Sequence, residues 1–243
     1  MKIESTVIIP HSSSVDTLVS LLIQLQSQTL LPKCIYIIDC SNNKSGLQKA
    51  KKFAFNNVPI IVEVAKGTIY ENWNRGIDLS QTDYPNASMF IVNDDILVPQ
   101  NTIERLVEVD SLYRPLALVP KTPPRTHLSD HITTIFKTIS EKKLPITSDW
   151  LCGFAFYLTA ECVKKVGIFD TSYKVWFGDT DYEQRIIKKA EELKRKSIGL
   201  IEDLYVYHYG GSSYKYYSKE VLDLIDKDRE LYLSKYKTLP PNV

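Results

Sequence analysis

Charge of either sign is not in excess in this chain: 30 Lys and Arg face 29 Asp and Glu over 243 residues, a formal charge of +1. Without a basic surplus there is no electrostatic drive toward a phosphate backbone, so nucleic acid is excluded as the expected partner. Long apolar runs are also missing. No stretch approaches the roughly 18 uninterrupted apolar residues of a spanning helix. Met1 to Ser5 lead only into Val7-Ile8-Ile9 before Pro10, with neither an h-region nor a cleavage site. The expected location is therefore cytoplasmic, with any membrane association peripheral. Cysteine is scarce: Cys34, Cys40, Cys152 and Cys162 contain no C-x-x-C pair, and free thiols are expected rather than zinc or disulfides. No G-x-G-x-x-G follows the first apolar run, which sets aside a dehydrogenase. Internal repeats and low-complexity tracts are absent as well.

What is present is enough apolar sequence, 44% of residues, to bury a substantial core. β-Branched runs alternate with helical patterns over the first two-thirds, the sign of parallel strands joined by crossover helices. Strands are expected at Thr6 to Ile9, Cys34 to Asp39, Ile60 to Val64, Met89 to Val92 and Leu116 to Val119. Helices are expected at Val15 to Gln28, where Leu18, Leu21, Leu22 and Leu25 repeat at helical spacing, and from Asn101 to Leu112. The pattern is that of a doubly wound α/β sheet. From Pro120 to Thr147 it breaks into Pro-rich, polar sequence expected to be an irregular functional loop. Beyond it, Trp150 to Thr159 reads as a buried strand, Ala160 to Val166 as a short helix closed by Gly167, and Asp181 to Arg195 as a longer helix. A strand at Leu204 to His208 and a charged terminal helix at Ser218 to Tyr236 complete the chain.

Ligands of open parallel sheets bind outside the carboxyl ends of the strands, which directs attention to four polar clusters. Pro10-His11-Ser12, Asp39-Cys40-Ser41, Asn93-Asp94-Asp95 and His208-Tyr209-Gly210-Gly211 all fall at predicted strand ends. Adjacent carboxylates at Asp94 and Asp95 repel each other unless a cation or buried donor offsets them. Two accounts fit: a hard divalent ion held with substrate phosphates, or an Asx turn capping the helix that starts near Thr102. In Trp176-Phe177-Gly178-Asp179-Thr180-Asp181, the plain account makes Asp179 an N-cap and Asp181 a first-turn acid. The aromatic lead-in favours instead an acid beside an aromatic wall, a setting for a general base facing a sugar. Arg185, one turn after Asp181, is expected to be its helix-face partner. His208 is either structural or, with the flexible Gly210-Gly211 beside it, a metal or diphosphate contact.

Taken together these segments resemble the inverting nucleotide-sugar glycosyltransferases of family 2, with the GT-A fold, and in particular their rhamnosyltransferase-like branch. The similarity runs from about Thr6 to Ser213. Val7-Ile8-Ile9-Pro10 resembles the family's nucleotide-binding opening, with His11-Ser12-Ser13 in place of its aromatic-Asn pair. Ile37-Ile38-Asp39 resembles the strand whose Asp reads the base, and Asn74-Arg75-Gly76-Ile77 the helix beside the sugar-diphosphate. Asn93-Asp94-Asp95 stands at the D-x-D position with Asn first. Gly167-Ile168-Phe169-Asp170 followed by Asp179-Thr180-Asp181-Tyr182-Glu183-Gln184-Arg185 is similar to the family's G-x-F-D and its acidic signature ending in Arg.

The resemblance implies a single GT-A domain over 1–243, with a donor-binding half at 1–119 and an acceptor-binding half at 120–243. It implies Asp179 as catalytic base, and Asp95 with His208 as ligands of Mn²⁺ or Mg²⁺. Donor and acceptor contacts would come from Pro10, His11, Asp39, Asn74, Asn93, Asp94, Trp150, Gly153, Gly210 and Gly211, with Asp181 either placing the acceptor or supporting its helix. The implied reaction moves a hexosyl or deoxyhexosyl unit from a nucleotide-diphospho-sugar to a glycan or other hydroxyl acceptor, in glycan biosynthesis. Two other readings stay open. A nucleotidyltransferase would show a Gly-rich loop with a basic residue near the start, which His11-Ser12-Ser13-Ser14 does not offer. A non-catalytic sugar- or nucleotide-binding module would account for the missing first Asp of D-x-D.

Overall fold

A computed structural model describes residues 3–12, 14–41, 58–122, 142–148, 150–209 and 218–240. Its framework is an eight-stranded sheet built from β1 (Ser5–His11), β2 (Ile35–Asp39), β3 (Ile60–Val64), β4 (Ser88–Val92), β6 (Ala117–Lys121), β7 (Ile146–Ser148), β8 (Ala155–Leu158) and β9 (Ile198–Tyr205). The strand order is β3-β2-β1-β4-β8-β6-β9-β7, while β5 (Ile96–Leu97) and β10 (Tyr207–His208) form a separate two-stranded ribbon. The helices are α1 (Val15–Gln26), α2 (Ile69–Asp83), α3 (Thr102–Tyr113), α4 (Ala160–Val166), α5 (Gly178–Leu193) and α6 (Lys219–Tyr236).

The apolar residues of the central strands alternate between two cores because successive side chains leave opposite faces. Ile8, Tyr36, Ile91 and Phe156 pack on one face with Trp73, Tyr182 and Tyr232 from α2, α5 and α6. Val7, Ile9, Ile37, Phe90 and Tyr157 pack on the other with Leu18 and Leu22 of α1 and Leu106 of α3. Covering both faces is why β1, β2 and β4 read as continuous apolar runs. Helix starts follow their side-chain caps: Ser14, Thr68, Thr159 and Ser218 each accept from an amide of the first turn, and Thr68 with Glu71 closes a capping box. Among the described residues no helix is long and apolar enough to cross a membrane. All four cysteines are free.

Most expected elements are found where the pattern placed them, and the departures have local causes. The sheet is the mostly parallel α/β sheet expected, with two antiparallel entries the pattern did not mark: β1 to β4 run parallel and β6 pairs parallel with β9, but β8 enters antiparallel between β4 and β6, and β7 pairs antiparallel with β9. The expected strand from Trp150 shrinks to Ala155–Leu158, because the Ala155 amide turns back onto the Cys152 carbonyl and Trp150 is 51% exposed. The end of the expected Pro120 to Thr147 loop contributes β7, while residues 123–141 lie outside the described residues. The single strand expected at Leu204 to His208 is divided between β9 and β10 at Val206, whose amide donates to the Lys121 carbonyl.

This topology gathers the ends that matter. β1, β2 and β4 deliver His11, Asp39 and Asn93 at their carboxyl ends, and antiparallel β8 brings its amino end to the same edge, where the Asn93 amide donates to the Phe154 carbonyl. Pro10 has no N–H for a ladder, and the β1–β4 pairing stops at Ile8 and Ile91 just before it. The two strands are thus unpaired where their polar ends begin.

Candidate active site

The acidic turn after β4 is tied down from two sides. His11 is fully buried at the end of β1, and its Nδ1 lies 2.6 Å from Asp94 Oδ2. Its Nε2 is buried without a hydrogen-bond partner among the described residues. Asp94 is thereby committed to the protein through one oxygen rather than standing open for a ligand. Asp95 faces the other way. Its Oδ1 lies 3.1 Å from His208 Nε2 and is buried with no hydrogen-bond partner among the described residues. A carboxylate oxygen and an imidazole nitrogen this close, and unbonded to each other, suit two ligands of one cation. The mixed oxygen and nitrogen donors fit Mn²⁺ or Mg²⁺. Among the described residues no third His, Cys, Asp or Glu joins them, which leaves other positions for phosphate oxygens and water. The Asx-capping account fails, since β5 intervenes and α3 begins at Thr102 with no side-chain cap from Asn101.

His208 is set by backbone and ring contacts. β10 pairs with β5 so that His208 stands opposite Ile96, and the Tyr209 amide donates to the Asp95 carbonyl. The Phe154 ring stacks on the imidazole with centroids 4.2 Å apart. Phe154 follows Gly153, and Gly153 abuts Asp179: a Cβ on Gly153 would lie 2.3 Å from Asp179 Oδ2. The Gly153-Phe154 step therefore touches the Asp179 carboxylate on one side and the His208 ring on the other.

Asp179 is in the first turn of α5 but is not its N-cap. That place is held by Phe177 in the left-handed conformation, φ 65°, with no side-chain cap. The helix start is instead bound by Tyr70 of α2, whose hydroxyl accepts from the Gly178 amide at 3.0 Å and donates to the Val175 carbonyl at 3.3 Å. Burial raises the Asp179 pKa above the usual carboxylate value, and the Thr180 amide donating to its Oδ1 only partly offsets this. A partly desolvated carboxylate with one oxygen against a glycine, where no side chain covers it from that residue, is suited to accept a proton.

No protein-family model matches this sequence, and no curated protein matches it. Solved structures do. S. aureus TarS 1–349 in complex with UDP-GlcNAc aligns with a TM-score of 0.65 at 16% identity, covering 95% of this chain and 67% of that one. GalNAc-T7 with UDP, GalNAc and Mn²⁺ aligns at 0.65 and 18%, covering 85% and 44%. The mannosyltransferase PcManGT from Pyrobaculum calidifontis with GDP-Man and Mn²⁺ aligns at 0.63 and 14%, covering 88% and 59%. The chain has the GT-A fold. It spans from less than half to about two-thirds of the length of these GT-A proteins.

Within this GT-A domain the other expected contacts divide into those left open and those used internally. Asn93 is partly exposed beside Asp94, and Trp150 is exposed in the segment leading to Gly153. Asp39 is buried, with Oδ1 accepting from both the amide and the hydroxyl of Ser41. Asn74 is used in structure: its amide group donates to the Phe169 carbonyl and accepts from the Phe169 amide, locking α2 to the G-x-F-D turn. Asp181 is likewise internal. It is buried, and its oxygens are taken by Arg185 at 2.9 Å, Lys235 at 3.0 Å and Tyr236 at 3.1 Å, which gives it the helix-supporting arrangement. Gly210 and Gly211 lie outside the described residues.

Three residues with no role assigned from sequence belong to this site's support. Glu183 accepts from the Leu151 amide at 2.7 Å and so holds the loop that carries Gly153. Tyr70 binds the start of α5. Asp228 of α6 accepts from the amides of Lys174, Val175 and Trp176. Such charge-assisted bonds contribute about 1.5–3 kcal/mol each in a buried setting. The available signal was weak: one Asp in a charged helix, and one Glu inside an acidic motif.

Proposed function

We propose that this chain is an inverting glycosyltransferase that takes a sugar from a nucleotide-diphospho-sugar and passes it to a hydroxyl acceptor. The observation that carries the reading is the convergence on Gly153-Phe154, which puts the Asp179 carboxylate and the Asp95–His208 pair on either side of one dipeptide. The neighbours with UDP-GlcNAc, UDP and GDP-Man support a donor of this class, and two of them were crystallised with Mn²⁺.

In the proposed reaction Asp179 accepts the proton of the acceptor hydroxyl as that oxygen bonds to the anomeric carbon. The bond from that carbon to the diphosphate oxygen breaks, its electron pair leaves with the nucleoside diphosphate, and the configuration inverts. A divalent ion held by Asp95 and His208 would supply charge compensation at the departing diphosphate. Asn93 and Asp39 are proposed as donor contacts and Trp150 as an acceptor contact. Asn74 and Asp181 act through the backbone they fix. The cytoplasm is the proposed compartment.

The deciding experiment is a thermal-shift titration with UDP, GDP, dTDP and CMP and their common sugars, each with and without Mn²⁺, followed by assay of sugar release. A ligand that prefers the folded state raises its apparent stability. A Mn²⁺-dependent shift with one nucleotide, together with turnover of its sugar, supports the transferase. A shift without turnover moves the reading to a binding module, and no shift with any nucleotide removes both.

A further inference from the structure

The last helix grips the start of α5 along one face. Asp228, Tyr232, Lys235 and Tyr236 follow a spacing of four, seven and eight residues, which aligns them on one side of α6. Asp228 is 2% exposed, and its carboxylate accepts from three consecutive amides: Lys174 at 2.9 and 3.0 Å, Val175 at 2.7 Å and Trp176 at 2.9 Å. Tyr232 packs its ring on Phe177, the residue in the left-handed conformation, with centroids 5.3 Å apart. Lys235 and Tyr236 reach Asp181, two residues beyond Asp179. Residues 174–181 are thus bound to α6 on both sides of Asp179.

Three amides in a row can converge on one carboxylate only while the backbone keeps a single curved path, and that path ends in the Phe177 turn that aims Asp179 at Gly153. We propose that Asp228 is a positioning residue for Asp179, setting the backbone that presents the base through its bonds to residues 174–176. This deepens the transferase reading and rests on it for the role of Asp179. The ionisable groups that interact with Asp179 are Tyr70 of α2 and Cys152 of the loop before β8, and Asp228 bears on Tyr70 as well.

The test uses the full chain carrying Asp228→Asn, which keeps the side chain's size but offers only one oxygen to three donors. Two readouts need no donor or acceptor: amide hydrogen exchange of residues 174–176, and carboxyl titration of Asp179 by ¹³C NMR. The expected result is a loss of protection at those amides of about tenfold or more relative to β1, with Asp179 titrating closer to an ordinary aspartate. With a nucleotide-sugar that turns over, kcat falls about tenfold while KM stays within about twofold. Unchanged exchange and titration at these positions would overturn the proposal, as would a loss of protection spread evenly over the fold. If Asp228→Asn does not fold, Asp228→Glu keeps the charge, displaces it by one methylene and is read in the same way. Absence of turnover in the wild-type chain would count against the transferase alone, since the first two readouts decide the positioning independently.

Discussion

Gly153 stands so close to Asp179 that a methyl group at position 153 would lie 2.3 Å from Oδ2 and 3.3 Å from Cγ. The clash is with the mobile end of a side chain, so it can be relieved by rotating the carboxylate instead of moving backbone. Gly153→Ala should therefore leave Tm nearly unchanged while rotating the carboxylate of the proposed base out of its position. Displacing a reacting group by about 1 Å costs on the order of 10²-fold in rate. Steady-state kinetics beside a melting curve would check this, and a large fall in Tm with proportionate loss of activity would contradict it.

Asp179 itself should separate catalysis from stability. Replacement by Asn is expected to lower kcat by about 10²- to 10⁴-fold, the usual contribution of a general base. Because burial raises its pKa above the ordinary value of 3.8, the folded chain binds this proton more tightly than the unfolded chain. The stability it contributes is present below the unfolded pKa and is lost as pH rises through the folded one. Above that pH Asp179→Asn should melt no lower than the wild type, and higher if the buried charge dominates. The acid limb of wild-type kcat should lie above the range of an exposed aspartate, because the base works only when deprotonated. A variant that loses activity and stability together at neutral pH would argue that Asp179 is structural.

Asp181 carries the opposite expectation. Its carboxylate is buried and bonded to Arg185, Lys235 and Tyr236, so Asp181→Ala leaves Arg185 with the Val166 and Ile168 carbonyls and Lys235 with Asp170 and the Tyr173 ring, and removes a link between α5 and α6. Breaking a buried pair by removing one partner costs about 3–5 kcal/mol, and the lower end is expected because Arg185 and Lys235 are about one-third exposed. Urea denaturation would measure it. A loss below about 0.5 kcal/mol, as for an exposed pair, would show that these contacts do not hold α6.

How far these relationships could be read in advance depends on their range along the chain. The strands and helices of the first part of the chain were legible because their apolar faces repeat locally, as in Leu18 to Leu25 of α1 and Ile35 to Ile38 of β2. The antiparallel entry of β8 was not, since pairing direction leaves no mark in a run such as Ala155 to Leu158. The approach of Asp95 to His208 was legible from the rule that ligands gather at strand ends, while the resemblance added the order that ties Asp179 to them. The division of labour among neighbouring acids was hidden: Asp179 and Asp181 are two residues apart, yet one faces Gly153 and the other faces α6. Helical geometry turns them about 200° from each other, and only the position of α6 decides which is buried. The commitment of Asn74 to Phe169 was hidden for the same reason, being a bond across 95 residues.

The acidic turn offers the last prediction, because its two aspartates hold unlike partners. Asp95→Ala and His208→Ala should each remove most of the Mn²⁺-dependent part of nucleotide binding, measured by calorimetry with and without the metal. His11→Phe should act at one remove. It keeps a ring in the buried position but removes the 2.6 Å bond to Asp94 without touching Asp95. The metal ligand next door then loses a tie on its turn and not a direct partner, so metal affinity should fall by less than the about 10- to 100-fold that follows loss of a ligand's own hydrogen-bond partner. The binding that persists without metal should be nearly the same in wild type and His11→Phe. If His11→Phe instead weakened nucleotide binding equally with and without Mn²⁺, His11 would be a donor contact and its bond to Asp94 incidental. If it changed neither, the turn would be held without His11, by contacts that include its backbone bonds to Phe154 and Tyr209.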